Sequence, residues 1–200
     1  MSQSRPQLWM VAGPNGAGKS TLVNRYTDLL KRNDVPVINP DVIAKDMEPF
    51  DPARAALGAG KEALRLQEAF LAEKRSFLVE TTFSGKRELE LMKRASVSGY
   101  KVNCVFVGID SPDKSAFRVE QRAIRGGHSV PDADVARRYE RGLENLAQVI
   151  SKVDRLYLLD NSGRSHRLIL SIENGRRKYI SQDVPGWCNA LNLPPYGDRD

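Results

Sequence analysis

Residues 8–20 read Leu8-Trp9-Met10-Val11-Ala12-Gly13-Pro14-Asn15-Gly16-Ala17-Gly18-Lys19-Ser20, an apolar run that leads into a complete G-x-x-x-x-G-K-[ST] loop. Glycines at 13, 16 and 18 let the backbone take turns that a side chain would forbid, so successive N–H groups converge on an anion at a helix N-terminus. Lys19 adds a point charge for the β- and γ-phosphates of a nucleoside triphosphate, and the Ser20 hydroxyl is placed to ligate Mg²⁺. The expected bound species is a nucleoside triphosphate with Mg²⁺. Its phosphate-contacting set is Gly13, Pro14, Asn15, Gly16, Ala17, Gly18, Lys19, Ser20 and Thr21, with Ser20 also the metal ligand. A buried-looking strand before the loop and Thr21-Leu22-Val23 opening a helix after it separate this pattern from a chance glycine turn.

Working outward, further apolar or alternating runs stand at Val35–Ile38, Phe77–Val79, Val102–Ile109 and Leu156–Leu159, separated by segments of helical periodicity. That alternation predicts an α/β fold of the P-loop NTPase and kinase type, in three layers around a mostly parallel central sheet. The stretch Asp51–Lys74 predicts a core-packed helix with Ala56, Leu57, Ala63, Leu64 and Leu71 on one side. Ser111-Pro112-Asp113 starts a helix that Gly126-Gly127 ends, and Pro131 with Asp132 and Asp134 starts another that runs to about Ser151. Between them the arginine-bearing segment forms a short lid. Leu168–Glu173, Asn174-Gly175 and Arg176–Ile180 predict a C-terminal β-hairpin, and the Pro-, Gly- and Asn-rich tail from Pro185 is expected to be irregular.

The chain has 200 residues with 40% hydrophobic content, which suits one α/β domain over 1–200 carrying the P-loop, its core at 7–162 and the hairpin and tail at 163–200. No stretch approaches the roughly 20 apolar residues of a membrane span and none reads as a signal peptide, so a cytoplasmic protein without membrane contact is expected. Cys104 and Cys188 suggest neither a disulfide framework nor a metal site. A formal net charge of +6 attracts polyanions, either small phosphorylated ligands or nucleic acid. Part of the excess is local, because Arg164, Arg167, Arg176, Arg177 and Lys178 face only Glu173; that stretch reads as a solvated hairpin.

Parallel sheets deliver functional groups at the C-terminal ends of their strands. After Val35–Ile38 comes Asn39-Pro40-Asp41, where Asp41 is placed either to act as general base opposite the γ-phosphate or to cap the following helix. After Phe77–Val79 come Glu80, Thr81 and Thr82, an acid and hydroxyls suited to a polyhydroxylated acceptor or to the Mg²⁺ shell. Asp110 follows Val102–Ile109 as either a metal-side acid or a turn residue. Arg118, Arg122 and Arg125 stand at i, i+4 and i+7 on one helical face, and Arg137, Arg138 and Arg141 form a second basic set. Arginines brought up by a hinged segment stabilise the charge that spreads over a transferring phosphoryl group. His128, beside the glycine pair, contacts phosphate or shapes the turn.

Taken in order, Gly-Pro-Asn-Gly-Ala-Gly-Lys-Ser, Asn-Pro-Asp, Glu-Thr-Thr-Phe-Ser-Gly, Gly-Gly-His-Ser-Val-Pro, Arg-Arg-Tyr-Glu-Arg and Leu-Asp-Asn-Ser, from Leu8 to Ser162, resemble the compact members of the zeta toxin family. The resemblance implies a P-loop kinase that passes the γ-phosphate of ATP to a hydroxyl of a UDP-activated amino sugar, typically UDP-N-acetylglucosamine. It implies Lys19 and Ser20 on phosphate and Mg²⁺, Asp41 as the general base, Glu80 and Thr82 toward the sugar nucleotide, and Arg122 as the first phosphate-binding arginine. The basic sets read from spacing add Arg125 to the catalytic group of Lys19, Asp41 and Arg122, Arg118 and His128 beside the nucleotide, and Arg138 and Arg141 beside Asp41, Glu80 and Thr82 toward the acceptor. The second phosphate-binding arginine of larger relatives has no direct counterpart here; Arg125 or His128 takes that place. No antitoxin segment is attached, so a separate protein would inhibit a toxic member.

Other P-loop classes lack their motifs. An ABC-type ATPase needs Leu-Ser-Gly-Gly-Gln and a strand ending Asp-Glu, and a GTPase needs Asn-Lys-x-Asp; none occurs. A kinase of another metabolite, a nucleoside or an RNA end fits the same residues, and so, less well, does a nucleotide-dependent binding module.

Overall fold

The computed structural model describes residues 5–32, 35–124, 130–191 and 193. Seven strands form one sheet in the order β2-β3-β1-β4-β5-β6-β7. The parallel part comprises β1 (Gln7–Ala12), β2 (Val37–Ile38), β3 (Phe77–Thr81), β4 (Lys101–Gly108) and β5 (Arg155–Asp160). Two antiparallel strands, β6 (Arg167–Glu173) and β7 (Arg176–Ile180), extend it as the expected hairpin. Asn174 and Gly175 both hold positive φ, 51° and 73°, the mirror-image turn that matches strand twist.

Side chains of β1 alternate between the two faces, as a strand buried on both sides requires. Leu8, Met10 and Ala12 join a core with α3 (Pro52–Ala72), α4 (Lys86–Val97) and α6 (Asp132–Val149). Trp9 and Val11 face the other way, toward Leu22 and Val23 of α1 (Lys19–Arg32). Helices on both faces of a mostly parallel sheet give the three-layer α/β architecture that the strand pattern predicts. Among the described residues, no helix is long and apolar enough to cross a membrane.

Helix starts follow local chemistry. The Asn39 side chain accepts the Asp41 N–H at 2.9 Å and Pro40 opens α2 (Pro40–Met47). Asp51 caps α3 with Pro52 at its first position. Between β4 and α6 lies α5 (Pro112–Ile124). The glycine pair, Arg125 and His128 fall outside the described residues, and the lid expectation with them.

Two expectations need correction. The apolar side of α3 is set by Ala59, Ala63, Leu66, Phe70 and Leu71, whereas Ala56 and Leu57 face solvent, Leu57 being 74% exposed. The small residues of that helix made its first turns read as core, yet its inner face is in register only from Ala59. The tail, expected to be irregular, forms a 3-10 helix over Gly186–Leu191 that buries Trp187, Cys188 and Leu191. Three apolar groups on one side of a short turn outweigh the breaker content around them. The basic hairpin is solvated as its composition implies, with Arg164, Arg176 and Lys178 exposed, while Arg167 pairs with Asp160 and Asp183.

Both thiols are inert. Burial pushes Cys104 and Cys188 up to about 12.

Candidate active site

Each glycine of the 13–20 loop is closed down by a different element. A Cβ on Gly13, at φ 142°, would lie 2.2 Å from the Val107 carbonyl oxygen of β4. One on Gly16 would meet the Ser115 carbonyl of α5 at 2.9 Å, and one on Gly18 the Asn161 amide after β5 at 2.5 Å. All three have positive φ, so both space and backbone demand glycine. The loop carbonyls are held from outside. Ser115 Oγ donates to the Asn15 carbonyl, Asn161 Nδ2 donates to the Ala17 carbonyl at 2.8 Å, and Arg118 reaches the Gly16 carbonyl at 3.5 Å. With these three carbonyls held, the Gly16 and Gly18 N–H groups are left to face an anion, while the Ala17 N–H donates to the Pro14 carbonyl at 3.3 Å.

Lys19 is 9% exposed and donates from Nζ to the Pro14 carbonyl at 2.9 Å. Burial lowers its pKa from 10.5 to about 8; the carboxylates of Glu80 and Asp41 oppose the shift and Arg122 adds to it. Those three groups come from β3, α2 and α5, and each is near enough to act on the charge of one lysine. Ser20 Oγ donates to Glu80 Oε1 at 2.5 Å.

Asp41 sits at the exposed start of α2. Asn39, not Asp41, caps that helix, which leaves the Asp41 carboxylate uncommitted to the capping alternative. Thr82 lies in the turn after β3, where its Oγ1 stands 3.0 Å from Ser84 Oγ. That turn rests on α6. A Cβ on Gly142 would lie 3.2 Å from the Thr82 carbonyl, and Asn145 Nδ2 donates to the carbonyls of Phe83 and Gly85 at 2.8 and 3.0 Å. Phe83 holds φ +60° while fully buried, a strained position that Asn145 pins. Arg138 and Arg141 precede Gly142 by four and one residues, so Arg138 shares its side of α6 and Arg141 flanks it. Asp110 is not drawn to this cluster; it pairs with Lys114 at 3.6 Å, which favours its reading as a turn residue. Arg125 and His128 lie outside the described residues.

Several contributors are missing from the sequence reading. Ser115 and Asn145 act on turn carbonyls from inside helices, where a hydroxyl or amide carries no motif that announces this. Asn161 had a signal, since it follows β5 at the functional ends of the strands. His166 packs against Gly18 with its Nε2 buried. Burial holds its pKa below the usual imidazole value against the pull of the Gly18 backbone, and Arg25 and Arg118 add to the lowering.

Residues 8–146 match the family described as AAA domain, well over half of the chain. The chain belongs to that family. The AAA domain match takes in the loop, Asp41, Glu80, Thr82 and both arginine sets, and stops inside α6. An uncharacterised protein of Haemophilus influenzae is 31% identical over 142 residues, covering 68% of this chain and 99% of that protein. Among solved structures, AvrRxo1-ORF1:-ORF2 with ATP superposes with a TM-score of 0.68 at 17% identity, over 88% of this chain and 61% of that one. A chain of the PezAT chromosomal toxin–antitoxin system of Streptococcus pneumoniae gives a TM-score of 0.60 at 15% identity, over 84% and 72%. The AAA domain protein described here thus spans about three fifths of the length of AvrRxo1, and at these identities the likeness is one of fold.

Proposed function

We propose that this AAA domain protein is an ATP-dependent kinase of the zeta toxin type that phosphorylates a hydroxyl of a nucleotide sugar, with UDP-N-acetylglucosamine as the acceptor. One observation carries the reading: Asn39 rather than Asp41 caps α2, so the Asp41 carboxylate stands at the tip of β2 uncommitted to the cap, near enough to the phosphate-loop Lys19 to act on its charge. Simple nucleotide holding has no use for a carboxylate at that place.

In this reading the loop amides and Lys19 hold the β- and γ-phosphates. Asp41 accepts the proton of the acceptor hydroxyl, and Arg122 offsets charge on the equatorial oxygens as the γ-phosphoryl group passes across. Glu80, Thr82, Arg138 and Arg141 orient the acceptor, and Arg118 and His128 flank the nucleotide. Ser20 Oγ and Glu80 Oε1, two oxygens 2.5 Å apart beside the loop, are the donor type Mg²⁺ takes. Ser20 and Glu80 would hold the ion, which would screen the phosphate charge. The toxin–antitoxin setting of the PezAT neighbour supports a separate protein inhibitor as partner.

Incubating the purified protein with γ-labelled ATP and a panel of UDP-sugars, nucleosides and RNA tests the proposal. Label on UDP-N-acetylglucosamine is expected. Label on a nucleoside or RNA end would move the acceptor class, and no transfer to any would leave only a nucleotide-binding module.

A further inference from the structure

We infer that Trp187, forty-one residues past the end of the AAA domain match, is a positioning residue for the phosphate loop, acting through Asp160 and Asn161. This rests on the nucleotide-binding reading of that loop.

Asp160 ends β5 and is 6% exposed. Its carboxylate accepts the Trp187 indole N–H at 2.9 Å and the Ser162 hydroxyl at 2.6 Å on Oδ1, while Oδ2 faces Arg167 at 3.8 Å. The indole lies flat against Gly108, where an added Cβ would come within 2.3 Å of the ring. Gly108 and Asn161 are joined in turn, because the Asn161 N–H donates to the Gly108 carbonyl at 2.9 Å. Trp187 therefore contacts the ends of both β4 and β5, the two strands that hold Asn161 in place, and that residue's amide holds the Ala17 carbonyl at 2.8 Å.

The peptide plane between Ala17 and Gly18 makes this hold matter. In a trans peptide the carbonyl and the next N–H point in opposite directions, so fixing the Ala17 oxygen toward Asn161 fixes the Gly18 N–H toward the anion side. Gly18 has no Cβ to resist a flip. Released, the plane can turn its oxygen toward the phosphates, replacing a donor by a repelling lone pair. Trp187, 5% exposed and remote in sequence, thereby secures one amide of the cradle.

The test is MgADP binding by calorimetry to the wild type, Asn161→Ala, Trp187→Phe and the double variant. Phenylalanine keeps a ring on Gly108 but has no N–H. We expect Asn161→Ala to weaken MgADP about tenfold and Trp187→Phe about threefold, the worth of one hydrogen bond or less. The double variant should be no weaker than Asn161→Ala alone, since both act through one contact. Wild-type affinity in either single variant, with or without a lowered melting temperature, overturns the inference, as does a double variant whose losses multiply. Should Trp187→Phe not fold, amide exchange over 186–191 in the wild type decides instead: slowing by MgADP is expected, and no change overturns it. MgADP donates no phosphoryl group, so these results stand apart from the kinase reaction. A wild type that binds no MgADP refutes the phosphate-loop reading itself.

Discussion

Ser20 of α1 and Glu80 of β3 are joined by a 2.5 Å hydrogen bond, which ties the first turn of the phosphate-loop helix to the tip of the neighbouring strand. Glu80→Gln keeps the shape and can still accept from Ser20 but loses the charge. We expect the Mg²⁺ concentration needed for half-maximal ADP binding to rise about tenfold, because one carboxylate no longer faces the ion's shell. A Mg²⁺ titration of nucleotide affinity checks this; an unchanged midpoint would assign Glu80 to the acceptor side alone.

Lys19 links nucleotide affinity to pH. Its folded pKa, about 8, lies below the unfolded 10.5, so the unfolded chain holds more protons between those values and the free protein gains stability as pH rises through that window. Phosphates reverse the sign by favouring the charged amine. MgADP binding at pH 9 should therefore take up a proton, visible as a buffer-dependent heat in calorimetry. Lys19→Met should stabilise the free protein at pH 7 by up to roughly 3 kcal/mol and nearly abolish MgADP binding.

Asp41→Asn should lower phosphoryl transfer by about a hundredfold or more while ATP affinity stays within about twofold, as for a lost general base. Steady-state transfer and equilibrium ATP binding, measured side by side, check the split. Loss of binding instead would return Asp41 to a structural role.

Asn145→Ala leaves two carbonyls of a strained turn without a donor. A loss of about 2 to 3 kcal/mol is expected, a fall in melting temperature of roughly 5–10 °C. MgADP affinity should be unchanged, because the turn after β3 carries acceptor-side groups and the amide that pins the loop comes from Asn161.

Much of this molecule was legible in residue order. The apolar run ending at Ala12 and the glycines at 13, 16 and 18 impose a strand, a turn and a helix by local sterics alone, and Asn174-Gly175 likewise dictates its hairpin. Glu80 at a strand tip was legible from position, though its bond to Ser20 was not. What stayed hidden depends on long-range packing. Asn145 and Asn161 look like ordinary polar residues until the fold brings a carbonyl to each. Trp187 sits among prolines and glycines whose local preference is overridden by the burial of one large ring.

The two rims of the sheet differ from its centre. On one side β2 contributes only Val37 and Ile38, and on the other β7 carries Arg176, Arg177 and Lys178. A short margin and a cationic margin both discourage another chain from adding a strand there. Any protein that restrains this one would have to grip helices or loops rather than continue the sheet, and a screen for inhibitory peptides is better stocked with helical ligands than with extended ones.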